Sequence, residues 1–225
     1  MSSSLLPPVA AVLFDLDGTL VDSAPDLVGT LNDMRQQRGL EVLPLQVLRG
    51  HCGSGARGLL GAGMAVFPGQ SNYEELRDEF HARYELRILQ LTQLFAPTQE
   101  MLESLRQRGL PWGIVTNKAM RFAQPLCLAL GLSPQCAVLV AGDTTPHTKP
   151  HPAPLLEAAR RLQLPASTCV YVGDDQRDVQ AGMAAGMRTL AAAWGYVHSQ
   201  PPVESWGADV VLQHPEDLLQ WLDLA

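Results

Sequence analysis

Short apolar runs alternate with helical patterns along most of the chain. The six apolar runs are Val9–Asp15, Trp112–Thr116, Ala137–Ala141, Cys169–Val172, Thr189–Ala192 and Asp209–Leu212. Several of them are almost continuously apolar, which is typical of strands buried on both faces of a parallel sheet. Four of the runs are followed by helical patterns, at Met120–Leu130, Pro152–Leu162, Asp175–Ala185 and Pro215–Leu222. We therefore predict an α/β fold built on a doubly wound, Rossmann-like parallel sheet.

One long stretch, residues 22–95, does not alternate in this way. It has no convincing strand, but it carries helical patterns at Ser23–Arg38 and Asn72–Leu91, which indicate amphipathic helices. Ser23 and Ser71 are candidate caps for these two helices. We predict that this stretch is a small α-helical module inserted after the first strand. The remaining residues, 1–21 and 96–225, form the predicted α/β core.

Composition narrows the possible partners. The chain has 225 residues, 46% of them hydrophobic, which is enough to bury a core. Its 16 basic and 23 acidic residues give a formal net charge of −7, so nucleic acid is a poor partner. No apolar run approaches the roughly 20 residues that a membrane span needs.

The sequence also bears on the compartment. Met1–Pro8 lacks the basic start of a signal peptide. The four cysteines have no metal-finger spacing. We therefore expect a cytoplasmic protein.

Charged and polar side chains follow four of the predicted strands. They are Asp15 and Asp17, then Thr116, Asn117 and Lys118, then Lys149, and finally Asp174, Asp175 and Asp178. The carboxyl ends of parallel strands meet at one edge of the sheet, where ligands bind. Several carboxylates in one cleft repel one another, and a hard divalent cation such as Mg²⁺ relieves that repulsion. The sequence therefore predicts a Mg²⁺ site that, together with Lys149, attracts a phosphate group.

These four motifs resemble those of the haloacid dehalogenase (HAD) superfamily, and the resemblance extends over the whole chain. The first motif, Asp15-Leu16-Asp17-Gly18-Thr19, is similar to the DxDGT motif of the superfamily. The resemblance implies that Asp15 is the nucleophile and forms an aspartyl-phosphate. It also implies that Asp17 protonates the leaving alcohol and then activates water. Because dehalogenases lack an acid at the position of Asp17, the resemblance points to phosphoester chemistry.

The other three motifs imply further roles by the same resemblance. Thr116 and Asn117 correspond to the motif that holds the phosphoryl group, and Lys149 to the lysine that neutralises nucleophile and phosphate. Asp174 corresponds to the magnesium ligand, with Asp178 as a second acid. Asp15 and the backbone carbonyl of Asp17 complete the expected metal ligands. Asp175 stands where many relatives have serine, and its contact with the metal is left open.

Within the superfamily, the chain most resembles bacterial phosphoglycolate phosphatases, and among them N-acetylmuramic acid 6-phosphate phosphatases. The stretches that carry this resemblance are Trp112–Lys118 with Arg121–Ala123, Trp194–His198, and Trp206–Val211 with His214–Pro215. The helical module resembles the small cap domain of the superfamily, and Gly53–Arg57 resembles its glycine-rich loop. A cap of this kind closes over the site and supplies substrate contacts.

These observations together predict an enzyme for a small phosphate ester that carries a carboxylate or a sugar, working as a monomer or homodimer. Both 2-phosphoglycolate and N-acetylmuramic acid 6-phosphate carry a carboxylate, which Arg57, or less favourably Arg49, is placed to bind. A solvated arginine at a helix start is the alternative for Arg57. A β-phosphoglucomutase-like phosphotransferase shares the four motifs and remains an alternative reaction. A non-catalytic, Mg²⁺-dependent phospho-acceptor domain of the receiver type is the alternative from another class.

Overall fold

The computed structural model of the protein describes residues 8–197 and 201–224. The first seven residues of Met1–Pro8, which we expect not to be a signal peptide, lie outside the described residues. His198, the last residue of the Trp194–His198 stretch, does so as well. The strands are β1 Ala11–Phe14, β2 Val21–Asp22, β3 Gln93–Leu94, β4 Trp112–Val115, β5 Val138–Val140, β6 Cys169–Gly173, β7 Arg188–Ala192 and β8 Val210–Leu212. The helices are α1 Ala24–Gln37, α2 Leu45–Leu48, α3 Gly55–Met64, α4 Tyr73–Arg87, α5 Thr98–Gln107, α6 Met120–Ala129, α7 Ala153–Leu162, α8 Gln176–Ala185 and α9 Asp217–Leu224. Short 3₁₀ segments occupy Arg49–Ser54, Ala166–Thr168 and Val203–Ser205.

Six strands form one parallel sheet in the order β5-β4-β1-β6-β7-β8. Each of them coincides with one of the six apolar runs, although β6 continues to Gly173 and β7 begins at Arg188, one residue outside their runs. The predicted parallel sheet is confirmed. From β1 the chain winds through β4 to β5 on one side and through β6 to β8 on the other. The direction of winding therefore changes at β1, where the carboxyl ends of neighbouring strands leave a crevice for a ligand.

Helices cover both faces of this sheet. On one face, Phe14 and Val172 belong to a core that includes Leu105 of α5 and Leu126 of α6. On the other face, Leu13 and Tyr171 pack in a core with Leu155 of α7 and Ala181 of α8. Successive residues of β1 thus supply opposite cores, as the period-two geometry of a strand requires. The doubly wound architecture is confirmed.

The helices of the inserted module pack on one another, and their buried side chains belong to the same hydrophobic cluster as Phe14 of β1. Leu31 of α1, Leu59 of α3 and Phe80 of α4 are almost completely buried, and α1, α3 and α4 contact one another. No helix among the described residues is long and apolar enough to cross a membrane.

A two-stranded antiparallel ribbon joins the module to the core. β2 leads into the module and β3 leads out of it, with Val21 paired to Leu94 and Asp22 to Gln93. The prediction that this stretch lacks strands was wrong at its two edges. A two-residue strand is too short to produce a hydrophobic period, so the sequence pattern could not reveal it.

The predicted helix caps also need correction. Ser23 does occupy the N-cap position of α1, but its side chain makes no capping hydrogen bond. Its hydroxyl donates to Asp17 Oδ1 instead. The N-cap residue of α4 is Asn72 rather than Ser71. The local pattern located both helices, although α4 ends at Arg87 rather than at the predicted Leu91. Tertiary contacts decided what the cap side chain of α1 binds.

Candidate active site

The turn after β1 places two carboxylates at the crevice. Gly18 has φ +86°, a conformation that glycine adopts without strain. A Cβ atom at this position would also collide with the Asp174 carboxylate. The turn is held by Thr19, whose hydroxyl donates to Asp174 Oδ1 at 2.8 Å. Asp15 and Asp17 consequently line the same cleft, as the spacing of the motif predicts.

Three carboxylates converge at the carboxyl ends of β1 and β6. One oxygen of each of Asp15, Asp174 and Asp178 lies within 4.8 Å of the others. Burial, followed by the charges of Asp15 and Asp178, raises the pKa of Asp174 well above its ordinary value. Burial also raises the pKa of Asp178, although Lys149 opposes this shift. A divalent cation would relieve the repulsion, and carboxylate oxygens are the donors that Mg²⁺ prefers.

The start of α8 fixes the position of Asp178. Asp175 is the N-cap residue, and its side chain and that of Asp178 form a capping box. Asp175 also pairs with Arg177 at 2.7 Å. Although burial alone would raise the pKa of Asp175, its contacts with Arg177 hold that pKa below its ordinary value. Asp175 lies outside the group of three converging carboxylates, so a direct metal contact by Asp175 gains no support.

Lys149 links two of these carboxylates. Its side chain is 2% exposed, and Nζ lies 2.9 Å from Asp15 Oδ1 and 2.7 Å from Asp178 Oδ1. Nζ also donates to the Tyr171 hydroxyl at 2.7 Å and to the Val115 carbonyl at 3.0 Å. Burial opposes its charge, but the two carboxylates prevail and raise the pKa of Lys149. The ammonium group is therefore held as a cation beside the expected nucleophile.

Thr116 and Asn117 lie at the end of β4 and line the same cleft. The Asn117 side chain holds the loop that carries Lys149, because Oδ1 accepts from Lys149 N at 2.9 Å and Nδ2 donates to Lys149 O at 3.0 Å. Thr116 is buried, and its hydroxyl accepts from Lys118 N at 3.2 Å. Both side chains already have protein partners in the structure. Phosphate binding by Thr116 and Asn117 therefore remains a prediction.

Lys118 makes a contact that the sequence analysis missed. Its Nζ donates to both carboxylate oxygens of Asp17, at 3.0 and 3.1 Å, and to the Tyr84 hydroxyl of α4 at 2.9 Å. Burial alone would lower the pKa of Lys118, but Asp17 and Tyr84 raise it above its ordinary value. The position of Lys118 beside Asn117 in the second motif was the available signal. Its partner on the helical module could not be inferred from that motif.

The cleft itself lies between the core and the helical module and has a volume of about 560 Å³. On its module side, Phe80 stacks on Tyr84 with ring centroids 6.3 Å apart. From the core, Phe122 of α6 meets Tyr84 edge to face at 5.5 Å. This aromatic wall faces the same space as the carboxylates of the core.

The two arginine candidates have different surroundings. Arg57, in the first turn of α3, is exposed and lines the cleft. Arg49 pairs with Asp22 at 3.0 Å and lies over the Tyr196 ring at 5.2 Å. Because Arg49 already has a carboxylate partner, Arg57 is the better placed of the two. Nearby, Arg177 donates to the Gly53 carbonyl at 2.7 Å, which ties the glycine-rich loop of the module to α8.

Comparison with known proteins gives consistent results. The family model described as haloacid dehalogenase-like hydrolase matches residues 12–192. A phosphoglycolate phosphatase of Xanthomonas campestris pv. campestris is 47% identical over 92% of this chain and 94% of its own. An N-acetylmuramic acid 6-phosphate phosphatase of Pseudomonas putida is 40% identical over 96% of each chain. The crystal structure of a predicted phosphoglycolate phosphatase from Haemophilus somnus 129pt has a TM-score of 0.83 and 26% identity, covering 95% of this chain and 97% of its own.

Proposed function

The chain belongs to the haloacid dehalogenase-like hydrolase family, and we propose that it is a Mg²⁺-dependent phosphomonoester hydrolase acting through an aspartyl-phosphate. The superfamily predicted from the four motifs is thus confirmed, and its relatives are phosphatases by name. The observation that carries the proposed mechanism is the position of Lys149 between Asp15 and Asp178, beside the buried Asp174. A phosphate dianion fits a site that combines a fixed ammonium group with a cation held by carboxylates.

Asp15 is the proposed nucleophile. Its carboxylate oxygen attacks phosphorus, and the bond between phosphorus and the ester oxygen breaks. Leu16 N donates to Asp15 Oδ1 at 2.7 Å and Lys149 lies 2.9 Å from the same oxygen. These contacts orient the carboxylate and leave its other oxygen for the attack.

Asp17 is the proposed acid and base. In its protonated form it donates a proton to the leaving alkoxide. The resulting carboxylate then accepts a proton from the water that attacks the aspartyl-phosphate, which releases phosphate and restores the acid. The hydrogen bonds from Lys118 and Ser23 hold this side chain at the cleft. A carboxyl group fixed beside the leaving group can serve as acid in the first step and as base in the second without moving far.

Asp15, Asp174 and Asp178 would hold the metal, with the backbone carbonyl of Asp17 as the further ligand that the resemblance implies. When bound, Mg²⁺ supplies positive charge to the phosphoryl oxygens and lowers the cost of the charge that develops there. The mutual distances within the three carboxylates and their oxygen chemistry support this assignment. Thr116 and Asn117 are the proposed phosphate-binding residues, together with Lys149.

The helical module, residues 22–95, is the proposed cap domain of a core made of residues 1–21 and 96–225. The cleft lies between the two parts, so approach of the module would exclude water from the reaction. Arg57 is the proposed cap residue for a substrate carboxylate. The four cysteines have free thiols, which supports the cytoplasm as the proposed compartment.

The proposed substrates are 2-phosphoglycolate and N-acetylmuramic acid 6-phosphate, which the names of the relatives support. The test is a phosphate-release assay on small phosphomonoesters that includes both, with Mg²⁺ and with a chelator. We expect release that requires Mg²⁺. Absence of release from every ester would contradict the proposal, and formation of an isomeric sugar phosphate without free phosphate would favour a phosphotransferase.

A further inference from the structure

Most arginines of this acidic chain have a carboxylate partner in the structure. Arg38, Arg49, Arg83 and Arg108, for example, each pair with an Asp or Glu. Among the arginines that the structure describes, Arg57 and Arg121 are two whose side chains make neither an ion pair nor a hydrogen bond. Both line the cleft. Arg57 belongs to the helical module and Arg121 to the core, in the first turn of α6.

Arg121 is exposed, and its guanidinium lies over an aromatic ring. Its guanidinium carbon lies 4.5 Å from the centroid of the Phe122 ring, a cation–π contact. Phe122 is itself fixed by the rings of His81 and Tyr84, whose centroids lie 5.6 and 5.5 Å away. Arg121 therefore rests on a packed aromatic platform, while its hydrogen-bond donors are free of any partner among the described residues.

His81 adds a neutral polar group at the same place. Burial, together with the charges of Arg121 and Arg77, lowers the pKa of His81 below its ordinary value. The imidazole is therefore uncharged at neutral pH and can form a hydrogen bond without adding charge. The positive charge at this part of the cleft comes from the arginines.

We propose that Arg121 is a specificity-determining residue, which binds a second anionic group of the substrate together with Arg57 on the other side of the cleft. This inference rests on the proposed function, whose site it extends. A guanidinium without a carboxylate partner matches a planar carboxylate, because its fork of donors gives two parallel hydrogen bonds to the two carboxylate oxygens. The aromatic wall formed by Phe80, Tyr84 and Phe122 would pack against the apolar face of the body that joins phosphate and carboxylate. The chemical class of the substrate is therefore a carboxylated phosphomonoester.

The size of the cleft supports a substrate with such a body. A volume of about 560 Å³ falls in the range of pockets that enclose drug-sized ligands, about 300–1,000 Å³. 2-Phosphoglycolate is far smaller than such ligands, whereas a carboxylated sugar phosphate is of comparable size. We accordingly expect the larger ester to gain more from Arg121 than 2-phosphoglycolate does.

The test compares esters that differ in the carboxylate. N-Acetylmuramic acid 6-phosphate is matched with N-acetylglucosamine 6-phosphate, and 2-phosphoglycolate with ethyl phosphate. Arg121→Gln should lower kcat/KM about 10- to 100-fold for the carboxylated ester of each pair, mainly through KM, because a charge-assisted hydrogen bond is lost. The uncharged counterpart should change less than about threefold, and Arg121→Lys should retain part of the discrimination.

Arg77→Gln is the matched control variant. Arg77 lines the same cleft, but it already pairs with Asp78 at 2.8 Å and with Glu74. We expect its replacement to leave the discrimination between the paired esters unchanged. Equal losses on both esters of each pair after Arg121→Gln, or a loss of the same size in Arg77→Gln, would overturn the inference.

A binding measurement separates this inference from the proposed function. Asp15→Asn protein, with and without Arg121→Gln, is titrated calorimetrically with N-acetylmuramic acid 6-phosphate and with N-acetylglucosamine 6-phosphate. Preference for the carboxylated ester that disappears with Arg121→Gln supports the inference, even if the wild type hydrolyses neither ester and the proposed function fails. Hydrolysis by the wild type with a preference that does not depend on Arg121 overturns the inference alone.

Discussion

The Nζ atom of Lys149 has four partners in the core, whereas the side chains of Arg57 on α3 and Arg121 on α6 have no polar partner among the described residues. The core side is thus organised before a ligand arrives: its charges are arranged in pairs and hydrogen bonds. The part of the cleft formed by α3, α4 and the start of α6 offers rings and unpaired cations instead. Chemistry that is common to many esters needs the first kind of surface, and selection among esters needs the second.

The largest expected effect comes from the nucleophile on the core side. Asp15→Asn should reduce phosphate release about 10⁴-fold or more for every ester, because the proposed covalent step is lost. Steady-state rates with Mg²⁺ measure this loss, and Asp223→Asn on the surface is the control. Loss on carboxylated esters alone would show that Asp15 acts in selection, and would break the division between the two surfaces.

The next effect concerns the stability of the core side. Lys149→Met removes the cation between Asp15 and Asp178 and leaves buried carboxylates unpaired, which should cost about 3–5 kcal/mol of unfolding free energy. Urea unfolding in the presence of a chelator measures this loss. Added Mg²⁺ should restore part of it, since the metal replaces positive charge. A loss that Mg²⁺ does not reduce would contradict the assignment of the metal site.

A smaller effect is expected where the two sides meet. Lys118→Met should lower kcat about 10- to 100-fold, because Asp17 loses the cation that holds it. Tyr84→Phe removes only the hydroxyl contact from the module and should cost about 0.5–1.5 kcal/mol of unfolding free energy. Rates and urea unfolding of both variants test this order. A larger loss of kcat in Tyr84→Phe than in Lys118→Met would contradict this order and show that Tyr84 of the module, rather than Lys118, positions Asp17.

The smallest expected effect is a pH dependence of stability without metal. Because the pKa of Asp174 is raised in the folded state, the folded protein binds this proton more tightly than the unfolded chain does. Its contribution to stability therefore falls as pH rises from below the ordinary carboxyl pKa of about 4 towards neutrality. Thermal unfolding in a chelator should show a steeper fall for the wild type than for Asp174→Asn. Equal slopes in the two proteins would contradict the shift.

The core side was predictable because its residues follow consecutive strands of a parallel sheet. Once Val9–Asp15 and Cys169–Val172 are identified as strands, topology alone brings Asp15 and Asp174 to one edge. The aromatic wall and the arginines beside it were not predictable in the same way. The contact of Lys118 with Tyr84 joins the core to a helix of the inserted module, and it depends on how that module packs. Arg121 belongs to a stretch that carries the family resemblance, but the sequence gives no sign that its side chain lacks a polar partner.

The ribbon of β2 and β3 has a consequence for how such a protein can change during evolution. The chain enters the module through β2 and leaves it through β3, and Val21 and Leu94 are paired directly opposite each other. A segment whose two ends lie side by side can be exchanged for another of different length while the flanking core keeps its place. Recombination at this ribbon would replace Arg57 and the rings of α4 but leave Asp15, Lys149 and Arg121 behind. Exchange of the helical module could thus change the substrate while the residues that carry out the reaction stay the same.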